Sequence, residues 1–441
     1  MPQPQTIDLL IEPRWLVPVQ PHGIVLEGHA VAVDGGVIVG VLPVAEALIR
    51  YAPRERVELG AHALIPGLVN AHVHNPMTLM RGLADDLPLM SWLQQHIWPA
   101  EAKVMGPEFV RDGVELAVAE MLRGGTTCCN ENYFFPDVQA ATYRRLGFRA
   151  MVGLPIIEFP SAWAKTRDEY FDRALAVHDE FAGEPLLGTA FAPHAPYTVS
   201  DESFERIGML ADQLYVPVHL HLHETAHEVD EARRTLGARP FARMQALGIV
   251  NDHLIAVHMT QLNDAEIAAC ADAGVSVVHC AESNLKLASG FCPAEKLRRA
   301  GVNLAIGTDG CASNNDLDMF GEMRTAALLA KAVAGDASAL DAASALRAAT
   351  LGGAKAIGWE ARIGSIEAGK QADFAAVHLD DIETQPMYDV VSQLVYAAGR
   401  QHVTDVWIGG VRKLAARALA DLDVDELKMK AAKWRERIVA A

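Results

Sequence analysis

Between residues 66 and 308 the chain repeats one alternation eight times: a short apolar run, a polar or Gly/Pro cluster, then a stretch of helical periodicity. The runs lie at 66–72, 126–130, 148–154, 186–192, 217–222, 254–258, 275–279 and 302–308. Amphipathic stretches such as 107–123, 168–181, 201–214 and 263–273 separate them, several opened by an Asp or Asn suited to an N-cap. Such units demand a parallel sheet, and eight of them close into a barrel whose functional groups gather at the carboxyl ends of the strands. The expected class is α/β, a (β/α)8 TIM-like barrel.

The chain ends read differently. The stretch "EGHAVAVDGGVIVGVLP" alternates and turns as antiparallel strands do, with Gly35-Gly36 as a hairpin signal, and residues 364–412 return to that style. Each part is too small to fold alone, so the two are expected to pair as a small discontinuous β-sandwich domain. The expected division is 1–65 for its N-terminal part, 66–363 for the barrel, and 364–441 for its C-terminal part with a helical tail at 423–439. A chain of 441 residues exceeds a usual single core, in keeping with one large and one smaller domain.

A formal net charge of -18, from 56 acidic against 38 basic residues without a basic cluster, argues against nucleic acid and anionic membranes as partners. The N-terminus "MPQPQTIDLL" lacks a basic start followed by an apolar run, and no stretch reaches the length of a membrane span. A cytoplasmic location is expected. The six cysteines (128, 129, 270, 280, 292 and 311) sit in apolar segments without a CxxC pair and read as small buried hydrophobes.

Placed on the strand ends, the histidines form a pattern. His72 and His74 end the first run, "HLHLHET" (219–225) ends the fifth, His258 the sixth and His279 the seventh, and Asp309 follows the eighth. Neutral imidazoles with a carboxylate suit a divalent ion such as Zn²⁺ at about 2.0–2.2 Å. Alternation cannot decide among His219, His221 and His223, because all three point to one face.

"PGLVNAHVHNPMTLMRGLADDLPLMSWL" (66–93), "HLHLHET", "HCAESNLKLASG" (279–290), "IGTDGCASNNDLDMF" (306–320) and "GSIEAGKQADF" together resemble the amidohydrolase superfamily, and within it the methylthioadenosine/S-adenosylhomocysteine deaminases. The resemblance implies metal ligands His72, His74, His221 and Asp309, with Glu224 as catalytic carboxylate three residues after His221. His219 is then expected in a packed core role, and His223 at the pocket wall or in a structural one. Two-metal members carry a carbamylated lysine on strand 4, where this chain has "FAPHAPYT", so one metal per chain is implied. The PCxxC element of cytidine-type deaminases is also absent.

By the same resemblance Asp309 takes a proton from the attacking water, Glu224 shuttles one to the purine nitrogen and His258 steadies the tetrahedral centre. Glu101 corresponds to the family's ribose-binding glutamate. His194 and His279 are expected to contact the purine or leaving group, and Trp92, Trp98, Met77 and Leu83 to wall an apolar pocket. Ser283, Asn284 and Lys286 shape a loop and receive no chemistry.

The implied activity is hydrolytic deamination of the 6-amino group of 5′-methylthioadenosine, and less well of S-adenosylhomocysteine or adenosine. Other deaminases or dechlorinases of the superfamily, acting on guanine, cytosine or a chlorinated triazine, are the alternative, followed by a non-catalytic nucleoside-binding barrel. A homodimer is suggested by fold analogy alone. The preference for methylthioadenosine rests on position 153: some relatives place an arginine at the end of strand 3, where this reading puts Gly153, and no arginine lies from Met151 to Lys165. Arg145, Arg149 and Arg167 are the nearby alternatives.

Overall fold

The computed structural model describes residues 3–440. Each of the eight expected runs overlaps a strand: β1 (Leu68–Val73), β2 (Thr126–Glu131), β3 (Arg149–Ile156), β4 (Leu187–Pro193), β5 (Val218–Leu222), β6 (Leu254–His258), β7 (Ser276–His279) and β8 (Asn303–Ile306). They pair in parallel in chain order. Where the chain leaves β8, the Asp309 N–H donates to the His72 carbonyl at 3.0 Å and draws the first and last strands together. The result is a (β/α)8 barrel. Its helices include Pro107–Arg123, Arg167–Phe181, Asp201–Leu214 and Asp264–Ala273, the last opened by an Asn263–Glu266 capping box.

The strands are buried on both faces, as a parallel sheet covered by helices requires. One apolar cluster joins Val69, Cys128, Met151, Ala190, Ile255, Val257, Val278 and Ala305 to Ala354, Ile357 and Trp359. Because it unites strands across the ring, it is the barrel interior, plugged at the amino end by the segment around Trp359. β5 adds nothing apolar there, since its Val218, Leu220 and Leu222 pack in the larger cluster with the helices. Its inward positions are His219 and His221.

The chain ends build one mixed sheet of nine strands, among them Gln5–Leu16, His29–Asp34, Tyr51–Pro66, Phe374–His378 and Val403–Ile408. Leu9, Ile11, Val31, Val57, Phe374 and Trp407 share a cluster, and the Gly36 and Gly409 turns at opposite ends of the sheet touch, so the sheet folds over as a sandwich. The long strand Tyr51–Pro66 passes straight into β1 through Gly67. A Cβ there would lie 2.0 Å from the Thr127 hydroxyl, so only glycine fits the junction. All six cysteines are buried and free, and among the described residues no helix is long and apolar enough to cross a membrane. The chain closes in a helix, Val424–Ala440.

One ion pair clamps sheet to barrel. Arg149, at the start of β3 and fully buried, donates through Nε and Nη2 to Asp373 at 2.7 and 3.0 Å, and the Gly409 N–H adds 2.7 Å to the same carboxylate. Removing one member strands a buried charge. Asp373→Ala is therefore expected to lose about 3–5 kcal/mol in urea denaturation, while the apolar pair Arg149→Met with Asp373→Leu recovers most of it.

Candidate active site

At the carboxyl end of the barrel, His72, His74, His221, His258 and Asp309 converge. Ligand atoms of His72, His74 and Asp309 lie within 4.8 Å of one another, as do those of His72, His221 and His258. Regular strand geometry would not bring them together. The β1–β2 pairing steps from Asn70 opposite Cys129 to Val73 opposite Glu131, so β1 carries one extra residue and its end is re-aimed. On β6, Leu254 and Ala256 face the helices, and His258 shares their parity. A φ of 74° at His258 breaks the alternation, and its ring stacks 5.5 Å from that of His221. Asp309 has a φ of 63°. Non-glycine residues in this region are costly and persist where the surroundings over-determine them.

Each imidazole is held by Nδ1. That of His72 meets His219 Nε2 at 2.8 Å, that of His74 the Asn132 carbonyl, that of His221 the His194 carbonyl at 2.5 Å, and that of His258 Asn284 Oδ1 at 2.9 Å. The Nε2 atoms are left for the centre. His72 Nε2 is buried without a hydrogen-bond partner, and Asp309 Oδ1 lies 3.3 Å from it and 3.2 Å from His74 Nε2. The other oxygen, Oδ2, accepts from Ser283 at 2.7 Å and Ser313 at 2.9 Å. Tethered imidazoles, a bare buried nitrogen and an oriented carboxylate fit a divalent ion.

The electrostatics agree. Burial lowers His72 to about 4 and holds His221 and His219 well below the ordinary histidine range, so the rings are neutral with lone pairs free. Burial opposes ionisation of Asp309, but His72 and His74 beside it outweigh that and keep its carboxyl well below the usual range. Glu224, 9% exposed and 3.9 Å from His258 Nε2, is raised by burial. The groups open onto a cavity of about 690 Å³, walled by Trp92, Ile97, Trp98, Met105, Ile157 and Phe159. Glu101 lines it too. Burial pushes this carboxyl up to about 7 against the pull of the Tyr133 hydroxyl, which donates to it at 2.5 Å.

The Amidohydrolase family profile matches residues 63–413. The chain belongs to the amidohydrolase family. A Teredinibacter turnerae protein named 5-methylthioadenosine/S-adenosylhomocysteine deaminase is 46% identical over 99% of this chain and 98% of its own. A crystal structure described as an adenosine deaminase from Xanthomonas campestris with bound zinc is 67% identical, with a TM-score of 0.99 over 99% of this chain and 100% of that one. An atrazine chlorohydrolase from Arthrobacter aurescens, at 22% identity and a TM-score of 0.90 over 97% and 99%, shares the fold.

In this amidohydrolase the predicted His72, His74, His194, His221, Glu224, His258, Asp309, Glu101, Trp92, Trp98 and Met77 border the cavity or meet in its floor. His279 does not border it. It shares the parity of Val277, which packs among the helices, and both its ring nitrogens are buried without partners. Leu83 packs against the core instead. Gly153 is displaced from its expected place, because β3 runs on to Ile156 and a Cβ at 153 would lie 2.4 Å from the Glu131 carbonyl. The strand-end positions are Ile156 and Ile157. His223 is packed away, its Nε2 accepting from the Phe241 N–H at 3.0 Å.

Sequence reasoning missed Tyr133, Tyr197 and Ser313 at the cavity wall. It also missed Glu228, whose carboxylate accepts the His223 and Glu224 N–H groups at 3.1 and 2.7 Å. Glu131 is buried beside the β1 turn, taking the Asn75 N–H and the Tyr143 hydroxyl at 2.8 Å. No motif or periodicity announces these contacts; those of Glu131 join residues 12 and 56 positions apart, and those of Glu228 form only because the chain turns after β5. From the tethers, His221→Ala is expected to lose the metal and His223→Ala to keep it. His219→Ala should weaken metal affinity about 10–100-fold. Elemental analysis and competition with a chelator read all three.

Proposed function

We propose that the protein is a metal-dependent deaminase of 5′-substituted adenosines, with 5′-methylthioadenosine preferred over S-adenosylhomocysteine and adenosine. The observation that carries this reading is Glu224: a buried carboxylate beside His258, on the floor of an otherwise apolar cavity of nucleoside size. The names of the relatives point the same way. His72, His74, His221 and Asp309 are the residues to hold one divalent ion, and their donor set favours Zn²⁺. Such an ion acidifies a water toward neutral pH and so supplies the nucleophile.

The chain's own groups do the rest. Ionised Asp309 takes one proton from the attacking water, and His258 accepts a hydrogen bond that keeps the new oxygen aimed at purine C6. Glu224, raised by burial, gives its proton to the adjacent ring nitrogen as the C–O bond forms. On collapse the C6 hydroxyl returns a proton to Glu224, the amino group takes the one held by Asp309, and the C–N bond breaks. Ammonia and the inosine analogue result. Glu101 accepts from the two ribose hydroxyls at the other side of the cavity.

The 5′ preference follows from charge. Among the described residues the cavity is lined by no arginine, and its one cation, Lys165, donates to the Ser161 carbonyl at 2.5 Å. Arg145 pairs with Glu115, Arg149 with Asp373 and Arg167 with Glu202, so none reaches the cavity. A homocysteine carboxylate would be desolvated without a partner, whereas a methylthio group meets Ile156, Ile157 and Phe159.

Ammonia release from methylthioadenosine, S-adenosylhomocysteine, adenosine and guanine tests the assignment. Higher kcat/KM for methylthioadenosine is expected, and equal turnover of free bases refutes it. Ala162→Arg, at the exposed rim, should narrow the gap to S-adenosylhomocysteine. Glu224→Gln should lower kcat roughly 10²–10⁴-fold with metal retained.

Glu101 supplies a pH test. Its raised value means the carboxylate is protonated, and its acceptor oxygen lost, as pH falls through about 7, so KM for nucleosides should rise there. The 2′,3′-dideoxy analogues should show no such limb. Glu101→Ala should lower kcat/KM at least about tenfold for nucleosides, in line with about 1.5–3 kcal/mol for hydrogen bonds to a charged group.

A further inference from the structure

Ser283 and Asn284, to which the sequence alone assigns no chemistry, lie on a short helix after β7, Ala281–Lys286. Both are buried, at 0% and 1% exposure. This one turn reaches the neighbouring strand ends on either side. Asn284 Oδ1 is 2.9 Å from His258 Nδ1 beyond β6, and the Ser283 hydroxyl is 2.7 Å from Asp309 Oδ2 beyond β8. The helix is itself anchored. Fully buried Glu322, on helix Met319–Ala334, accepts the Glu282 N–H at 3.0 Å and the Asn314 amide at 2.9 Å. Asn314 in turn donates to the Thr308 carbonyl at 2.7 Å, so hydrogen bonds through Glu322 tie the loops after β7 and β8 together.

We infer that Asn284 is a positioning residue whose carbonyl oxygen keeps His258 in the Nδ1–H form, with the Nε2 lone pair presented to the reacting oxygen. This rests on the proposed contact between His258 and that oxygen. A neutral imidazole carries one N–H, and the partner of one nitrogen determines the state of the other. His258 needs such a partner more than its neighbours do, because its left-handed backbone turns the ring in against the strand alternation. The contact is also one-sided: Asn284 Oδ1 faces the His258 ring, and Asn284 Nδ2 is buried without a partner. Ser283 acts in parallel, donating to Asp309 Oδ2 and leaving Oδ1 toward His72 and His74.

Asn284→Leu keeps the shape and removes the acceptor, while Asn284→Asp keeps the acceptor. With zinc-reconstituted enzyme and methylthioadenosine, Asn284→Leu should lose about 10–100-fold in kcat with KM within about threefold, the range for groups that orient a site from behind. Zinc should stay at one per chain by elemental analysis, and Asn284→Asp should recover most of kcat. Nitrogen-15 NMR of histidine-labelled protein gives a readout independent of turnover: His258 should be the Nδ1–H tautomer in the parent and change in Asn284→Leu. Parental kcat in Asn284→Leu, an unchanged tautomer, or equal loss in both variants would overturn the inference. If Asn284→Leu does not fold, Asn284→Ala takes its place with the same outcomes. If the parent releases no ammonia from any nucleoside, the functional reading fails, and the tautomer comparison still decides the role of Asn284.

Discussion

Four imidazoles at the mouth of the barrel are each tied down through Nδ1, and the rest of the site depends on that constraint. Fixing one ring nitrogen orients the ring and selects the tautomer, so the other nitrogen offers a lone pair in a set direction. The tethers come from different elements: a histidine on β5, the carbonyls that follow β2 and β4, and an amide on the helix after β7. Burial disfavours the charged form of His72 and His221, and one carboxylate, Asp309, brings the anionic charge that a divalent ion balances. A shift of any tethering loop would misdirect a ligand without touching it.

The strands deliver these groups only by departing from regular geometry. β1 carries a bulge, and His258 and Asp309 adopt left-handed backbone. Each such residue costs on the order of 1–3 kcal/mol, which the packing around it must offset. The surroundings are suited to that: a plugged apolar interior below, helices outside, and the carboxylates of buried Glu131 and Glu322 and half-buried Glu228, which hold the backbone of adjoining loops. The irregularities that aim these side chains lie at the carboxyl ends, where the chemistry is. Deeper in the barrel the strands alternate as ordinary parallel strands do.

Above the metal candidates the cavity is apolar with few polar groups, which makes each polar group a discriminator. Glu101 lies on the helix Trp98–Val104 and is tied to Tyr133 just beyond β2, so one hydrogen bond links the covering segment to the barrel rim. The missing arginine is equally informative. A desolvated carboxylate needs a partner, and the arginines near β3 in sequence are engaged elsewhere, one of them at the opposite end of the barrel.

The sequence by itself determined the eight β/α units, the pairing of the two chain ends and the residue types of the site. These follow from apolar periodicity and from motifs whose members are close in sequence, as in the HxH pair at 72 and 74 or Glu224 three residues after His221. Tertiary structure alone decided which groups meet. His258 and His279 look alike on paper, each ending a strand after an apolar run, yet a positive φ turns the first into the site and ordinary parity leaves the second among the helices. Gly153 read as a strand end until three further paired residues carried β3 past it. Asn284, Ser283, Tyr133 and Glu322 find their partners 26 to 40 positions away, across neighbouring strands. The physical reason is one of range: periodicity records how each residue relates to its own strand or helix, whereas a hydrogen bond between loops depends on bulges and backbone turns set by packing.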